Sequence, residues 1–220
     1  MKLSEILVSK VNKPWTETLE KTFLSEMAHG TLDPMKFRNF MLQDYMYLLD
    51  YIELLKDIKS LAENEELKDF LACVISDTEN ETYRVHIPAM KELGISDEDI
   101  SGGIKADVIE GYMGYMRSML EEGGILAGLT AMLQCSWNYA HIGQVLSDRY
   151  RDILPASPYK DWFDAYSCKE YIDANQAWIE ALDREASDID DEETEKLCSI
   201  FITCAEYENK FWDYLADYSV

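Results

Sequence analysis

Apolar side chains recur every three to four residues through nearly the whole chain, and this period constrains the fold more than any other feature of the sequence. The spacing places them along one face of an α-helix, whereas a half-buried β-strand would alternate strictly between apolar and polar residues. No such alternating stretch bounded by turn residues occurs in the sequence. The sequence therefore predicts an all-α protein.

Capping and breaking residues predict where the helices begin and end. Asp33 can cap a helix whose first position is Pro34, and the apolar pattern then runs to about Ala62. Paired glycines at 102–103 and 123–124, and a loop with two prolines, are expected to separate later helices. The other predicted helices span 4–28, 64–91, 104–121, 125–150, 158–167, 169–187 and 190–218.

The domain organisation follows from the short, polar connections and from the lack of an internal repeat or linker. A chain of 220 residues can bury on the order of 70% of its unfolded surface, which is enough for a sizeable core. We therefore expect residues 1–220 to form one domain, a single helical bundle.

The charge balance limits the partners of the protein. Asp and Glu number 43 against 20 Lys and Arg, so the formal net charge is −23. This field repels phosphate backbones and anionic lipids, and we expect neither nucleic acid nor membrane as a partner; a solvated acidic surface explains the excess. No signal-peptide-like stretch and no window of ~20 apolar residues occurs, so we expect a cytoplasmic protein. The five cysteines are odd in number and lack a CxxC pair, which predicts reduced thiols.

Two carboxylates lie on the apolar faces of their own predicted helices. Asp44 lies between Met41 and Leu48 on the helix that begins at Pro34, and Glu208 lies in the middle of the apolar face of the last helix. Glu206 falls on the polar side of that helix. A carboxylate in an apolar pocket has a raised pKa, which suits proton transfer near neutral pH. Each could instead be a buried carboxylate satisfied by tyrosine or backbone.

Cys135 lies on the inner stripe of the predicted helix 125–150, one turn before Tyr139. A small buried hydrophobe is the ordinary role of such a cysteine, and only a reactive thiolate would make it a nucleophile. Both roles are open at this point.

Aromatic side chains from several helices could line a pocket for a flat heteroaromatic ligand, since rings stack and tyrosine hydroxyls bind ligand edges. Neither a P-loop nor a GxGxxG motif is present, which disfavours phosphate-rich ligands. The aromatic residues are Tyr45, Tyr47, Tyr51, Tyr112, Tyr115, Trp137, Tyr139, Trp162, Tyr166 and Trp212.

The histidine pattern gives little support for a metal site. Helical bundles hold di-iron centres through two Glu-x-x-His pairs, and of the three histidines, His29, His86 and His141, only His29 follows a glutamate, Glu26, at that spacing. We therefore expect no metal and no cofactor, with the histidines on the surface or satisfied in the core.

Four segments resemble, in order, the signature regions of the TenA/thiaminase II (aminopyrimidine aminohydrolase) family. They are FRNFMLQDYMYL (37–48), LQCSWNYAHIG (133–143), DWFDAYS (161–167) and AEYENKFWDYLA (205–216). The resemblance implies a haem-oxygenase-like helical bundle without haem, usually a homotetramer, that acts on aminopyrimidines in thiamin biosynthesis and salvage.

The resemblance also implies roles for single residues. Cys135 matches the catalytic nucleophile of the cysteine-containing branch, and Glu208 matches the acid/base glutamate. Gln134 departs from the pattern, because relatives often have proline before the cysteine; this bears on the local backbone and the substrate. The positions that match substrate-binding residues or flank them are Asp44, Tyr47, Tyr112, Tyr139, Tyr166 and Phe211.

The activity expected from the resemblance is hydrolysis of the C–N bond at the exocyclic methylene of a 4-amino-2-methylpyrimidine, which yields hydroxymethylpyrimidine. The sequence does not rank aminomethylpyrimidine against thiamin, because the two share the pyrimidine half. The alternatives are a non-enzymatic pyrimidine-binding or regulatory helical protein, and a metal-dependent oxygenase on the same fold.

Overall fold

The helical period of the sequence is realised in the computed structural model, which describes residues 1–218. That part of the chain contains ten α-helices and no β-strand, so the all-α prediction is confirmed. The helices are α1 Leu3–Thr18, α2 Thr22–His29, α3 Pro34–Leu61, α4 Glu65–Asn80, α5 Ile87–Glu92, α6 Asp97–Gly102, α7 Asp107–Arg149, α8 Lys160–Ser167, α9 Lys169–Glu185 and α10 Asp191–Asp217.

Helix α3 begins as its capping residues predict. The Asp33 carboxylate accepts a hydrogen bond from the backbone N–H of Met35 at 2.9 Å, and Pro34 occupies the first helical position. The helix ends at Leu61, and its inner face buries Asp44 and Tyr47. Local capping and the apolar stripe thus agree in orienting the element that carries two of the predicted site residues.

The predicted helix 4–28 is wrong as a single helix. Helix α1 ends at Thr18 and α2 starts at Thr22, although the intervening residues include neither glycine nor proline. The Thr18 hydroxyl, buried at this end, donates to the Asn209 side chain of α10 at 2.7 Å. The break therefore coincides with a contact between residues 191 positions apart in the chain, and no residue near the break predicts it.

One further prediction about helix boundaries needs correction, and another is confirmed. The predicted helix 64–91 is interrupted by a π-helical segment, Glu81–His86, between α4 and α5. The predicted separation at the glycines 123–124 is confirmed, because Gly124 has the non-helical values φ 73° and ψ −165°, so α7 consists of two helical segments that meet at a kink there. Helix α6 was not predicted, and the remaining bounds shift by one to three residues.

The start of α7 shows how a buried side chain moves a boundary. The predicted helix begins at residue 104, but α7 begins at Asp107. Gln43 of α3 holds the preceding backbone, donating to the Ile104 carbonyl at 3.0 Å and accepting from the Ala106 N–H at 2.8 Å. These bonds satisfy backbone groups that would otherwise belong to the first turn.

The core forms where α7 packs against α10, α8, α9 and α3, and α1 covers the outer side of α10. Nearly all buried apolar residues of the described chain join one cluster. All five cysteines are free thiols, as predicted. None of the helices within residues 1–218 is long and apolar enough to cross a membrane.

Candidate active site

A cavity of about 320 Å³ lies between α3, α4, α7, α8 and α9. Five of the residues singled out in the sequence line it: Asp44, Tyr47, Cys135, Tyr139 and Tyr166. A smaller space adjoins it, bordered by the first four of these and by the other three, Tyr112, Glu208 and Phe211. All eight predicted residues therefore surround one site, although they come from four helices.

Asp44 is buried and paired with His86, for which the sequence allowed either a surface position or a place in the core. The His86 Nε2 atom lies 2.6 Å from Asp44 Oδ2. Burial lowers the pKa of His86, but the hydrogen bond and charge of Asp44, with the charge of Glu81, outweigh burial and leave the pKa raised above 6.5. His86 is thus suited to donate to Asp44 and hold its carboxylate in place.

Glu81 and His86 lie at the two ends of the π-helical segment, and Glu81 lines the cavity. The Tyr166 hydroxyl donates to Glu81 Oε1 at 3.4 Å. Burial raises the pKa of Glu81, an effect that the neighbouring His86 opposes. π-Helical turns are often found at functional sites, because the extra residue per turn reorients side chains.

The sequence contained a signal for His86 that was missed. Buried Leu67, Leu71 and Ile75 form the inner stripe of α4, and steps of three and four lead on through Thr78 and Thr82 to His86, both threonines also being buried. Extending the apolar stripe across the two threonines would have turned His86 inward. No such pattern singled out Glu81, whose position depends on the π-helical turn.

Glu208 can change its charge near neutral pH. Its burial raises its pKa to about 7; the nearby Cys135 thiol and Tyr112 hydroxyl offset part of this effect, and the charge of Asp44 adds to it. Glu206, two residues away, is exposed, as its helical phase predicts. Glu208 can therefore accept a proton and return it at physiological pH.

The Cys135 thiol has a raised pKa and therefore keeps its proton at neutral pH. Burial raises its pKa well above the ordinary value, and the charge of Glu208 raises it further. Many reactive cysteines have a lowered pKa instead. A nucleophilic role for Cys135 therefore needs a base that removes the thiol proton as the new bond forms, and Glu208 is adjacent.

Aromatic rings form the walls around these groups. Tyr47 and Tyr112 stack with centroids 5.8 Å apart, and Tyr139 meets Tyr166 edge-on at 4.9 Å. The Tyr47 hydroxyl is buried beside the Cys135 thiol, and it has no hydrogen-bond partner in good geometry among residues 1–218. A buried donor without a partner is costly, so this hydroxyl is positioned for a ligand atom.

Comparison with known proteins identifies the family of this chain. The TENA/THI-4/PQQC family matches residues 8–218. This chain belongs to that family. An aminopyrimidine aminohydrolase from Halalkalibacterium halodurans is 31% identical over 217 residues, covering 97% of this chain and 95% of the relative. One from Helicobacter pylori is 29% identical over 214 residues, covering 97% and 98%.

Among solved structures, a TenA homologue from P. horikoshii OT3 has a TM-score of 0.86 at 27% identity, with 98% of each chain covered. The resemblance inferred from four sequence segments is thereby confirmed across the chain.

Gln134, which departs from the TenA sequence pattern, has a defined place beside the site. Its side chain is fully buried, and its Oε1 accepts a hydrogen bond from the Tyr112 hydroxyl at 3.1 Å. The backbone there is regular α-helix. In this TenA-family protein, Gln134 therefore orients Tyr112 next to Glu208 and leaves the helix that carries Cys135 undistorted.

Proposed function

We propose that this protein hydrolyses the C–N bond at the exocyclic methylene of a 4-amino-2-methylpyrimidine, with Cys135 as nucleophile and Glu208 as acid and base. One observation carries the proposal: Cys135, Glu208 and Asp44, from three different helices, converge on one aromatic-walled cavity. The names of the two bacterial relatives, matched over nearly their full length, support the same substrate class.

The binding step follows from the groups that face the cavity. The Asp44 carboxylate, held by His86, can accept hydrogen bonds from the amino group of the pyrimidine. The unpartnered Tyr47 hydroxyl can bind a ring nitrogen, and the tyrosine rings can stack on the heterocycle. Burial of these groups excludes water and strengthens their interactions with the ligand.

Glu208 carries a proton twice in the chemical step. The Cys135 sulfur adds to an electron-poor ring carbon while its proton passes to the Glu208 carboxylate, and Glu208 then protonates the departing amine as the C–N bond breaks. Water next adds to the exposed methylene carbon and gives a proton to Glu208. The C–S bond then breaks, Cys135 regains this proton from Glu208, and hydroxymethylpyrimidine is released with ammonia. From thiamin the thiazole leaves as a neutral ring that takes no proton, so Glu208 passes the thiol proton to solvent before water adds.

Product analysis tests the proposal. Purified protein is incubated with aminomethylpyrimidine and, separately, with thiamin, and the products are identified by mass in ordinary and in ¹⁸O-labelled water. We expect hydroxymethylpyrimidine that carries solvent oxygen in its new hydroxyl. Tight pyrimidine binding without product would favour the non-enzymatic alternative, and no binding of either compound would refute the proposal.

The homotetramer, the cytoplasmic location and the lack of a cofactor remain predictions from the family resemblance and the sequence. Sedimentation equilibrium of the purified chain measures the first directly. If the protein were a monomer with full turnover, the proposed mechanism would not require a tetramer.

A further inference from the structure

The cavity extends outward past the groups assigned to the pyrimidine. Its inner end is lined by buried residues of α3, α7 and α8, among them Asp44 and Tyr139. Its other wall comes from α4 and α9, where Cys73, Asp77 and Ala174 are exposed to solvent. The gradient of exposure identifies this end, lined by α4 and α9, as the mouth.

The mouth has a defined, largely aromatic surface. Phe70 of α4 and Trp178 of α9 meet edge-to-face with centroids 5.4 Å apart and an interplanar angle of 82°. The Ser136 hydroxyl donates to Asn175 Oδ1 at 2.9 Å, and Asn175 Nδ2 donates to the Tyr171 carbonyl at 3.0 Å. These contacts fix the α9 wall before any ligand binds, so the mouth can recognise shape without reordering.

The charged side chains that line the cavity are all carboxylates, of which Asp44 is offset by its partner His86. Asp44, Asp77 and Glu81 line it, and no Lys, Arg or His of the described residues does. Asp77 precedes Glu81 by one helical turn, so a carboxylate stands near the mouth as well as inside. A protein with a formal charge of −23 adds a field of the same sign.

We infer that this mouth is a second subsite, which holds the group that leaves with the amine nitrogen and selects neutral or cationic groups over groups that carry a phosphate. The inference rests on the proposed function, because it places the pyrimidine at the inner end with its methylene toward the mouth. Phe70 and Trp178 provide contact area for a heteroaromatic leaving group. Asp77 attracts a cationic nitrogen and repels a phosphate ester.

The test compares two probes that differ by one phosphate, thiamin and thiamin monophosphate. Their dissociation constants are measured by calorimetry on the Cys135→Ala protein at low ionic strength. Asp77→Lys in the same background should narrow the preference for thiamin about tenfold, since an attractive charge replaces a repulsive one near the phosphate. The preference of Asp77→Asn for thiamin should lie between that of the parent protein and that of Asp77→Lys.

Asp69→Lys is the matched control. Asp69 is exposed on α4, two turns before Asp77, and does not line the cavity. Its substitution changes the net charge of the protein by the same amount, so an effect of the global field would appear in both lysine variants. We expect the preference to be unchanged in Asp69→Lys.

Binding and turnover separate the two proposals. Equal affinity for both probes in the parent protein, or an unchanged preference in Asp77→Lys, overturns the subsite. Failure of the wild-type protein to hydrolyse either thiamin or aminomethylpyrimidine overturns the proposed function, while the affinity ratio still decides the subsite.

Discussion

At the scale of single residues, the chemistry depends on where one proton lies between Cys135 and Glu208. Glu208 has a pKa of about 7, while the pKa of Cys135 is well above its ordinary value. The reactive form is therefore the one in which Cys135 is a thiol and Glu208 is a carboxylate. Because that form accumulates as Glu208 ionises, kcat/KM should rise with pH through about 7.

Replacing Cys135 by Ala should abolish turnover while leaving the fold nearly intact, because the covalent step is lost but only one sulfur atom is removed. Steady-state rates and thermal unfolding check both parts. Cys198→Ala is the control, since Cys198 is buried in α10 away from the cavity, and it should retain turnover. Full activity in Cys135→Ala would refute covalent catalysis.

Glu208→Gln should lower kcat by roughly a hundredfold or more and remove the rise of kcat/KM with pH, because the amide neither accepts nor donates the proton. The affinity for the substrate should fall by a smaller factor. Glu206→Gln changes an exposed side chain and should alter stability by no more than about 0.5 kcal/mol. Hydrolysis across pH is the measurement; inactivity of Glu206→Gln with wild-type rates in Glu208→Gln would contradict the assignment.

At the scale of elements, α7 organises the site. It carries Tyr112, Gln134, Cys135 and Tyr139, and it also sets the distance to α8. A Cβ atom added at Gly143 would lie 2.6 Å from the Tyr166 carbonyl carbon and 2.7 Å from its oxygen. Only glycine allows this approach, so the position of Tyr166 in the cavity depends on it.

Gly143→Ala should destabilise the protein by about 2 kcal/mol, since α8 must move away from α7 to admit the methyl group. The Michaelis constant should rise too, because Tyr166 moves with α8. Gly114→Ala is a control on the same helix, where an added Cβ meets nothing within 4 Å, and it should stabilise by about 0.5 kcal/mol through helix propensity. Urea unfolding measures the stability of both variants. If Gly143→Ala were as stable as Gly114→Ala, the space between α7 and α8 would have room for the methyl group.

At the scale of the whole molecule, Glu208 links stability to pH. Its pKa rises from 4.5 to about 7 on folding, so between these values the folded protein binds more protons than the unfolded chain. The unfolding free energy attributable to this group is therefore highest below pH 4.5 and falls as pH rises to about 7. The cost of the ionised buried carboxylate is on the order of 3 kcal/mol.

Glu208→Gln should remove this cost. The variant should be more stable than the wild type at about pH 8, by up to about 3 kcal/mol, and the difference should shrink toward about pH 5. Urea unfolding of both proteins at the two pH values checks the sign, with Glu206→Gln as the control. A difference that does not change with pH would mean that Glu208 titrates near its ordinary value when folded.

The sequence by itself determined the helical class, the start of α3 and the inward faces of Asp44, Cys135 and Glu208. These features are local, because capping and the 3.6-residue period act within a few turns. Only the tertiary structure decided the break after Thr18, the late start of α7 at Asp107 and the π-helical segment that carries Glu81 and His86. There the backbone follows contacts between residues distant in sequence, whose free energy exceeds the small local preferences for a regular helix.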